Sequence, residues 1–518
     1  MGQAASLITR RAALLAAAGA VVGCARPAPE IPGGFAGVEV ERGHLLRTMR
    51  EWPAPAVSRR ADVVIAGGGI AGLAAARALR LRRREDFVLL DLEDAPGGNS
   101  RASAVDGIAC PLGAHYLPVP GDAAREVQGF LEELGLRKRV AGRWTYDERH
   151  LCHAPQERLF LEGQWQEGLL PLSGVGASTL AQYVRFAREV EAARRTGAFA
   201  IPLRQREKLR GLDGATFAQW LAAREFSDAH LRWYLDYCCR DDYGAGIEVV
   251  SAWAGLHYFA ARHGFHPPGA EEGGEREAVL TWPEGNGFLA RALAAPLRER
   301  FRGGRVVLRI AEHRHGVDID SFDVRTQRVE RWQAAQCIVA LPAHVAARVV
   351  ENPPHPVAAL ARQTRHAPWI VANLHLRLPP LPDDGMPIAW DNVVHGSTTS
   401  LGYVVATHQE LDPAPRPMVW TWYCAPGEAA RGDVLRQPWT HWRDRVVQEL
   451  AVPHRDIAAL LTRVEVTRYG HAMAIPVPGV LSNLPAPPRS GRLRFAHGDW
   501  AGYSVFEEAF TMGHLAVA

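Results

Sequence analysis

The arrangement of apolar and polar positions changes period most sharply near residue 65. An apolar run of strand length, Val63-Val64-Ile65, enters Gly67-Gly68-Gly69, and an Ala/Leu/Arg run with helical spacing leaves from Ile70. A second strand, Phe87 to Leu90, ends at Asp91. From about 120 to 280 the spacing is mostly helical. The amphipathic stretch after Val127 stops at a glycine, and further helices are predicted over Leu203–Leu221 and Ala229–Cys239. The second of these runs into Arg240-Asp241-Asp242-Tyr243-Gly244. A turn over Trp282–Phe288 feeds a helix from Leu289 to Arg300, and residues 305–341 are rich in strands. Strands follow at Ile370–Leu376 and Met418–Tyr423, and a strand and turn over Leu493–Asp499 lead to a terminal helix from about Val505.

The first changeover carries chemistry. Gly67, Gly69 and Gly72 fill a G-x-G-x-x-G spacing with a strand before and a helix after, the context that motif requires. Gly67 permits the tight turn, Gly69 lets main chain approach a pyrophosphate, and Gly72 lets the helix lie close on the strand. The first-turn N–H groups, including those of Ile70 and Ala71, then face the phosphates with the positive end of the helix dipole. Asp91, about 20 residues on, is placed to accept ribose hydroxyls. Downstream, Gly97-Gly98-Asn99 offers close backbone approach and Arg101 a neutralising charge. Small residues in Pro111-Leu112-Gly113-Ala114-His115-Tyr116 would let main chain lie against a flat ring.

These elements predict an α/β fold: a Rossmann-like dinucleotide-binding domain assembled from separated segments, with an α+β substrate domain inserted. The boundaries read as 1–24 export signal, 25–58 Pro/Gly-rich linker, 59–120 first binding segment, and 121–280 first substrate segment. They continue as 281–344 second binding segment, 345–465 second substrate segment, and 466–518 third binding segment. The signal rests on Thr9-Arg10-Arg11 before an alanine-rich apolar stretch too short to span a bilayer, which is similar to a twin-arginine leader. Val21-Val22-Gly23-Cys24 resembles a lipobox, making Cys24 a candidate for lipidation; simple cleavage beside it is the alternative. The expected location is the periplasm, with the chain membrane-tethered if Cys24 is acylated.

Composition narrows the classes further. A 47% apolar fraction is that of a globular protein, and a net charge of +3 gives no electrostatic case for a nucleic-acid partner. Nearly all positive charge is arginine, Lys138 and Lys208 being the two lysines. The seven cysteines form no C-x-x-C pair, so no metal site is expected, and Cys238-Cys239 read as buried small residues rather than a redox couple.

The stretch Phe495-Ala496-His497-Gly498-Asp499 through Tyr503-Ser504-Val505-Phe506-Glu507-Glu508-Ala509 resembles the C-terminal flavin segment of the flavin amine oxidase superfamily. That superfamily includes monoamine and polyamine oxidases, protoporphyrinogen oxidase and phytoene desaturases. Gly67–Gly72, Asp91 and Gly97-Gly98 look like its N-terminal motifs, Trp282–Phe288 like its Pro-x-Gly-Gly turn, and Ile338–Pro342 like its returning strand. The resemblance implies non-covalent FAD. It places Asp499, with Gly498, on the ribityl or pyrophosphate part, and Val307 beside the adenine. Ser504, Val505 and Phe506 would open the helix that faces the flavin pyrimidine, and Gly113, Ala114 and His115 would lie near the ring.

Two departures limit the transfer. Asn99 stands where an arginine commonly follows the two glycines, so Arg101 would substitute. Many amine oxidases also place a lysine near the flavin after the returning strand, whereas His366-Ala367-Pro368-Trp369 here has none. The segment Arg468–Pro476 looks more like that of the desaturase and protoporphyrinogen oxidase relatives. Candidate catalytic side chains are His115, Trp369, His471 and Tyr503, with Tyr116 beside them. His471 could take or shuttle a proton near neutrality. Asp241, Asp242 and Tyr243 are candidates for binding a cationic amine, the alternative being a solvated loop paired with Arg240. The leading expectation is an exported FAD-dependent dehydrogenation of a small amine by hydride transfer, with oxygen or a quinone as acceptor. The alternatives are an enzyme acting on C–C bonds, and a flavoprotein electron carrier.

Overall fold

The computed structural model describes residues 30–49, 51–152, 155–270, 277–381, 386–406 and 414–517. The expected export signal and Cys24 lie outside these residues. Two large sheets organise the chain. In the first, Phe301–Arg302, Phe87–Leu90, Val57–Ala66, Arg328–Val339, Gly316–Asp323 and Arg305–His313 neighbour one another in that order, with Leu493–Phe495 also paired to Arg328–Val339. The pairings around Val57–Ala66 are parallel, and those among the last three of that series are antiparallel. Its central strands are apolar on both faces, as a sheet covered on both sides demands. One face packs on helix Ile70–Leu81 and the terminal helix Phe506–Leu515 through Val63, Ile65, Leu73 and Phe510. Val64, Val88 and Val339 on the other face pack with Val357 and Leu360 of helix His355–Gln363.

The second sheet has eight strands, in the order Gly33–Phe35, Leu461–Ile475, Arg365–Leu376, Met418–Cys424, Ser400–Val405, Asp391–Val394, Glu157–Leu161 and Gln164–Glu167. It is mainly antiparallel, but Asp391–Val394 runs parallel to Glu157–Leu161. Helices Ala177–Arg195, Ala229–Tyr243 and Ala252–Tyr258 cover it through a core centred on Phe186, Trp253 and Phe259. This α/β arrangement is the fold class that the sequence pattern predicts.

Several elements differ from expectation. The stretch assigned as a linker supplies the edge strand Gly33–Phe35, paired parallel to Val464–Val466, and the helix Val40–Thr48. Its glycines mark a close approach: a Cβ on Gly33 would lie 1.8 Å from the carbonyl oxygen of Val464. The 121–280 segment is less helical than its spacing suggests, since Arg137–Val140 pairs with Arg143–Tyr146 and Glu157–Glu167 joins the second sheet. Leu203–Leu221 breaks into a 3-10 turn, Arg206–Leu212, and a short helix, Phe217–Ala223, capped by Thr216. The helix after Gly287 ends at Ala294. Residues 345–363 pack with the first sheet and Leu461–Ile475 with the second, so both of those boundaries shift along the chain. Among the described residues no helix is long and apolar enough to cross a membrane.

Candidate active site

The glycine turn is built by contacts that exclude side chains. Gly67 has φ +106°, and a Cβ there would sit 2.3 Å from the Ala340 carbonyl oxygen. A Cβ on Gly72 would meet the Gly67 carbonyl oxygen at 1.9 Å, so strand and helix touch through main chain. Gly69 is different, because its nearest neighbour would be the Gly98 Cα at 3.9 Å. Its openness to the crevice is what a bound diphosphate requires, and Ile70 and Ala71 begin the helix at that point. Gly97 bridges to Gly69, and its N–H donates to the Gly68 carbonyl at 2.7 Å. Asp91 closes the crevice, accepting the Gly68 N–H at 2.5 Å and the Glu93 N–H at 2.7 Å. Burial pushes its carboxyl up to about 6 against those bonds and Arg101. Arg101 itself is buried, with Nε donating to the Gly98 carbonyl and its guanidinium 3.2 Å from Glu93. Asn99 Nδ2 donates to the Ala472 carbonyl at 2.6 Å. These residues fit a dinucleotide, and the main chain at Gly69 and Gly98 is what would hold its phosphates.

The turn Pro111–Tyr116 joins this crevice to the second sheet. The Ala114 N–H donates to the Asn99 carbonyl at 2.8 Å, and the Tyr423 hydroxyl donates to the Gly113 carbonyl at 3.0 Å. A Cβ on Gly113 would strike the Asn99 carbonyl oxygen at 2.2 Å. The terminal segment meets the same region. Ser504 Oγ accepts the Ala474 N–H, Val505 precedes the terminal helix and Phe506 begins it. Gly513 of that helix lies against Ala71, where a Cβ would be 2.0 Å from its carbonyl oxygen.

Other expected positions fall elsewhere. Asp499, beside Gly498, is fully buried and accepts the Ala343 N–H at 2.8 Å, with His366 and His497 each 3.2 Å away. Those histidines hold its carboxyl well below the usual range, although burial alone would raise it. Val307 is buried in the core beneath the first sheet. His471 stands at the surface against His344 and does not line the substrate cavity, and partial desolvation of its ring with nearby Arg431 lowers it to about 4. The Tyr503 hydroxyl is committed to Glu508 at 2.8 Å, and its ring packs edge-on against Trp253. Trp369 is buried with its ring against Gly244. Of the four catalytic candidates, only His115 lines the cavity.

That cavity, of about 40 Å³, lies on the substrate side of the Pro111–Tyr116 turn. At roughly 10–15 Å³ per water it holds a few solvent molecules. His115 and Tyr116 form one wall, with Trp390 and Tyr423 packed on the His115 ring at 5.3 and 4.6 Å. Tyr237, Tyr258 and His263 line another side, the last two stacked at 4.5 Å. Burial drives both His115 and His263 down to about 3, so neither is cationic at neutral pH. Three carboxylates, Glu157, Asp241 and Asp391, also line it, and neither arginine nor lysine does. Asp241 receives the Tyr116 hydroxyl at 3.4 Å, and burial raises its carboxyl to about 7. Burial and the neighbouring Glu157 and Asp241 push Asp391 well above its ordinary value.

The run Arg240–Tyr243 is therefore no solvated loop. It completes the helix Ala229–Tyr243, which ends at left-handed Gly244. Only Asp241 reaches the cavity; Asp242 pairs with Arg262, which also binds Glu507, and the Tyr243 hydroxyl donates to the Ala254 carbonyl. Cys238 and Cys239 are both buried free thiols. Glu157 and Asp391 escaped the sequence reading. Nothing local marks them, since each opens a short strand and only the pairing of those strands brings them together.

A glycine-lined crevice joined by one turn to a small aromatic-walled cavity is the architecture of a flavin-dependent oxidoreductase. The chain belongs to the family of flavin containing amine oxidoreductases, which it matches over residues 70–517. It is 27% identical over 307 residues to a Mycobacterium tuberculosis protein named as a flavin-containing monoamine oxidase, a match covering 57% of this chain and 60% of that protein. A shorter match, 30% identical over 145 residues, is to a Synechocystis L-amino acid dehydrogenase and covers 28% of each chain. In fold it is similar to putrescine oxidase bound to putrescine, with a TM-score of 0.67, 16% identity, and coverage of 89% of this chain and 98% of that one. It is also similar to cyclohexylamine oxidase from Brevibacterium oxydans, with a TM-score of 0.62, 18% identity, and coverage of 88% and 98%. FAD is the cofactor of this family, and the crevice described above is where this chain's residues fit it.

Proposed function

We propose that this flavoprotein dehydrogenates a small amine bound as a cation, with short diamines preferred. The observation that carries this reading is the presence of three carboxylates in one aromatic-walled cavity whose lining holds no arginine or lysine. Acids this close oppose one another's ionisation, so such a cluster either keeps protons or receives a cation. An ammonium group satisfies it, and the Tyr116, Tyr258 and Trp390 rings add attraction for the same charge. A second ammonium on the substrate would engage more than one of the three acids. The putrescine oxidase similarity is in keeping with this, although at that identity it speaks only for the fold.

Bound FAD would supply the two-electron acceptor, taking hydride from the carbon next to nitrogen. The protein's own tasks are then plain. Asp241, raised to about 7, can take the ammonium proton, because an acceptor poised near the working pH is the efficient one. Neutral His115 and its packed rings keep water out and hold the substrate carbon toward the Pro111–Tyr116 turn. Export by the twin-arginine route, with tethering through Cys24, is proposed from the sequence of residues 1–24 alone; membrane fractionation of wild type and Cys24→Ser tests it.

Anaerobic mixing of the purified holoprotein with putrescine, benzylamine and L-leucine tests the substrate reading. Loss of flavin absorbance should be fastest with the diamine and slowest with the amino acid, whose carboxylate the three acids repel. Bleaching by polyenes or porphyrinogens, and by none of the amines, would support chemistry on C–C bonds. The missing lysine and the segment Arg468–Pro476 favour that second reading.

A further inference from the structure

The hairpin formed by Arg137–Val140 and Arg143–Tyr146 does not contribute to either large sheet. It turns through Ala141 and Gly142, both with positive φ, as a tight two-residue hairpin turn requires. Its root is fixed: Arg137 is buried, pairs with Glu132, and lies 3.8 Å over the Trp144 ring. Beyond that root, residues 138–144 are all exposed. Two of them are large and apolar, Val140 at 48% and Trp144 at 44%. Three are cations, Lys138, Arg139 and Arg143, none of which forms an ion pair among the described residues. The register makes Arg139 the partner of Trp144, and Val140 the partner of Arg143, so each face at the tip carries one cation beside one apolar group. No acidic residue lies between Arg137 and Tyr146.

We propose that this hairpin docks the protein on an anionic phospholipid surface. Exposed tryptophan and valine suit the interfacial layer of a bilayer, where an apolar body sits among headgroups. The three cations complement the headgroup phosphates, and among the described residues none is neutralised by a carboxylate, Arg139 Nε donating only to the Gly142 carbonyl of its own turn at 3.2 Å. With a net charge of only +3, the molecule lacks the broad basic field that nucleic acid demands, whereas three clustered charges around a tryptophan match a membrane patch. This inference is independent of the substrate reading.

The test uses the full chain carrying Cys24→Ser, so that acylation there cannot contribute. It is sedimented with vesicles of phosphatidylcholine alone and of phosphatidylcholine with phosphatidylglycerol. Binding is expected to the anionic vesicles and to weaken with salt. Lys138→Gln, Arg139→Gln and Arg143→Gln together should lower it roughly 100-fold, about fivefold per charge. Trp144→Ser should lower it further, and brominated lipid should quench fluorescence in wild type more than in that variant. Flavin absorbance and circular dichroism confirm that each variant is folded. The proposal is overturned if wild type ignores anionic vesicles, if the triple variant binds them equally, or if the three cations prove to bind RNA instead.

Discussion

Glu157 and Asp391 are register partners on two adjacent parallel strands, which sets two carboxylates side by side in the wall of one cavity. Like charges at such a position oppose folding. The chain keeps both, and Asp241 with them, although nearby amides or alcohols would fill the same space. A site that holds cations accounts for this arrangement, as stability is commonly lost where function needs a strained or repulsive group.

Replacing one of these acids should therefore move stability and activity in opposite directions. Asp391→Asn removes a carboxyl whose ionisation burial and its acidic neighbours oppose, and should raise the melting temperature of the protein without substrate by about 1–2 °C. The same change should raise KM for a diamine roughly 10–100-fold, because a charge-assisted contact is lost. Thermal melts and steady-state kinetics on one preparation check both. A fall in both melting temperature and KM would contradict the assignment.

The pH dependence follows from Asp241, raised to about 7 by burial. Between about pH 4 and 7 the folded protein keeps this proton while the unfolded chain has released it, so stability falls as pH rises through that window. A diamine stays protonated to about pH 10 and binds the ionised acid. Its stabilising effect in a thermal shift assay should consequently grow from pH 6 to 8. Asp241→Asn should flatten that dependence.

Gly69 and Gly72 separate binding from folding. A Cβ at Gly72 collides with main chain at 1.9 Å, and Gly72→Ala should give little folded protein. At Gly69 the nearest atom is 3.9 Å away, so Gly69→Ala should fold normally yet lose FAD through the space its methyl takes from the phosphates. Circular dichroism and the ratio of flavin to protein absorbance read the two effects.

Tyr503 was a catalytic candidate from sequence, but its hydroxyl serves Glu508 inside the core. Tyr503→Phe should keep kcat within about threefold and cost about 1 kcal/mol of stability. A hundredfold loss of kcat at unchanged stability would restore it to the reaction.

The cofactor half of the protein was legible because its determinants are local. Strand, glycine turn, helix and acidic residue follow one another from Val63 to Asp91, and their spacing alone states the geometry. The substrate half was not. Asp241 looked like part of a solvated charged run, since Arg240, Asp241 and Asp242 are adjacent, and only the packing of their helix separates a cavity acid from an internal ion pair. Gly33 and Gly34 read as linker because an edge strand of three residues has no periodicity to detect. Glu157 and Asp391 are 234 positions apart, and no pattern within either strand predicts the other.

The terminal helix closes the crevice by laying Gly513 directly against Ala71, a contact between the last few residues and a turn made hundreds of residues earlier. A nascent chain whose last stretch is still in the ribosomal tunnel lacks both this lid and the strand Leu493–Phe495 that completes the first sheet. Closure over the coenzyme should therefore follow the emergence of Phe506–Leu515 rather than precede it.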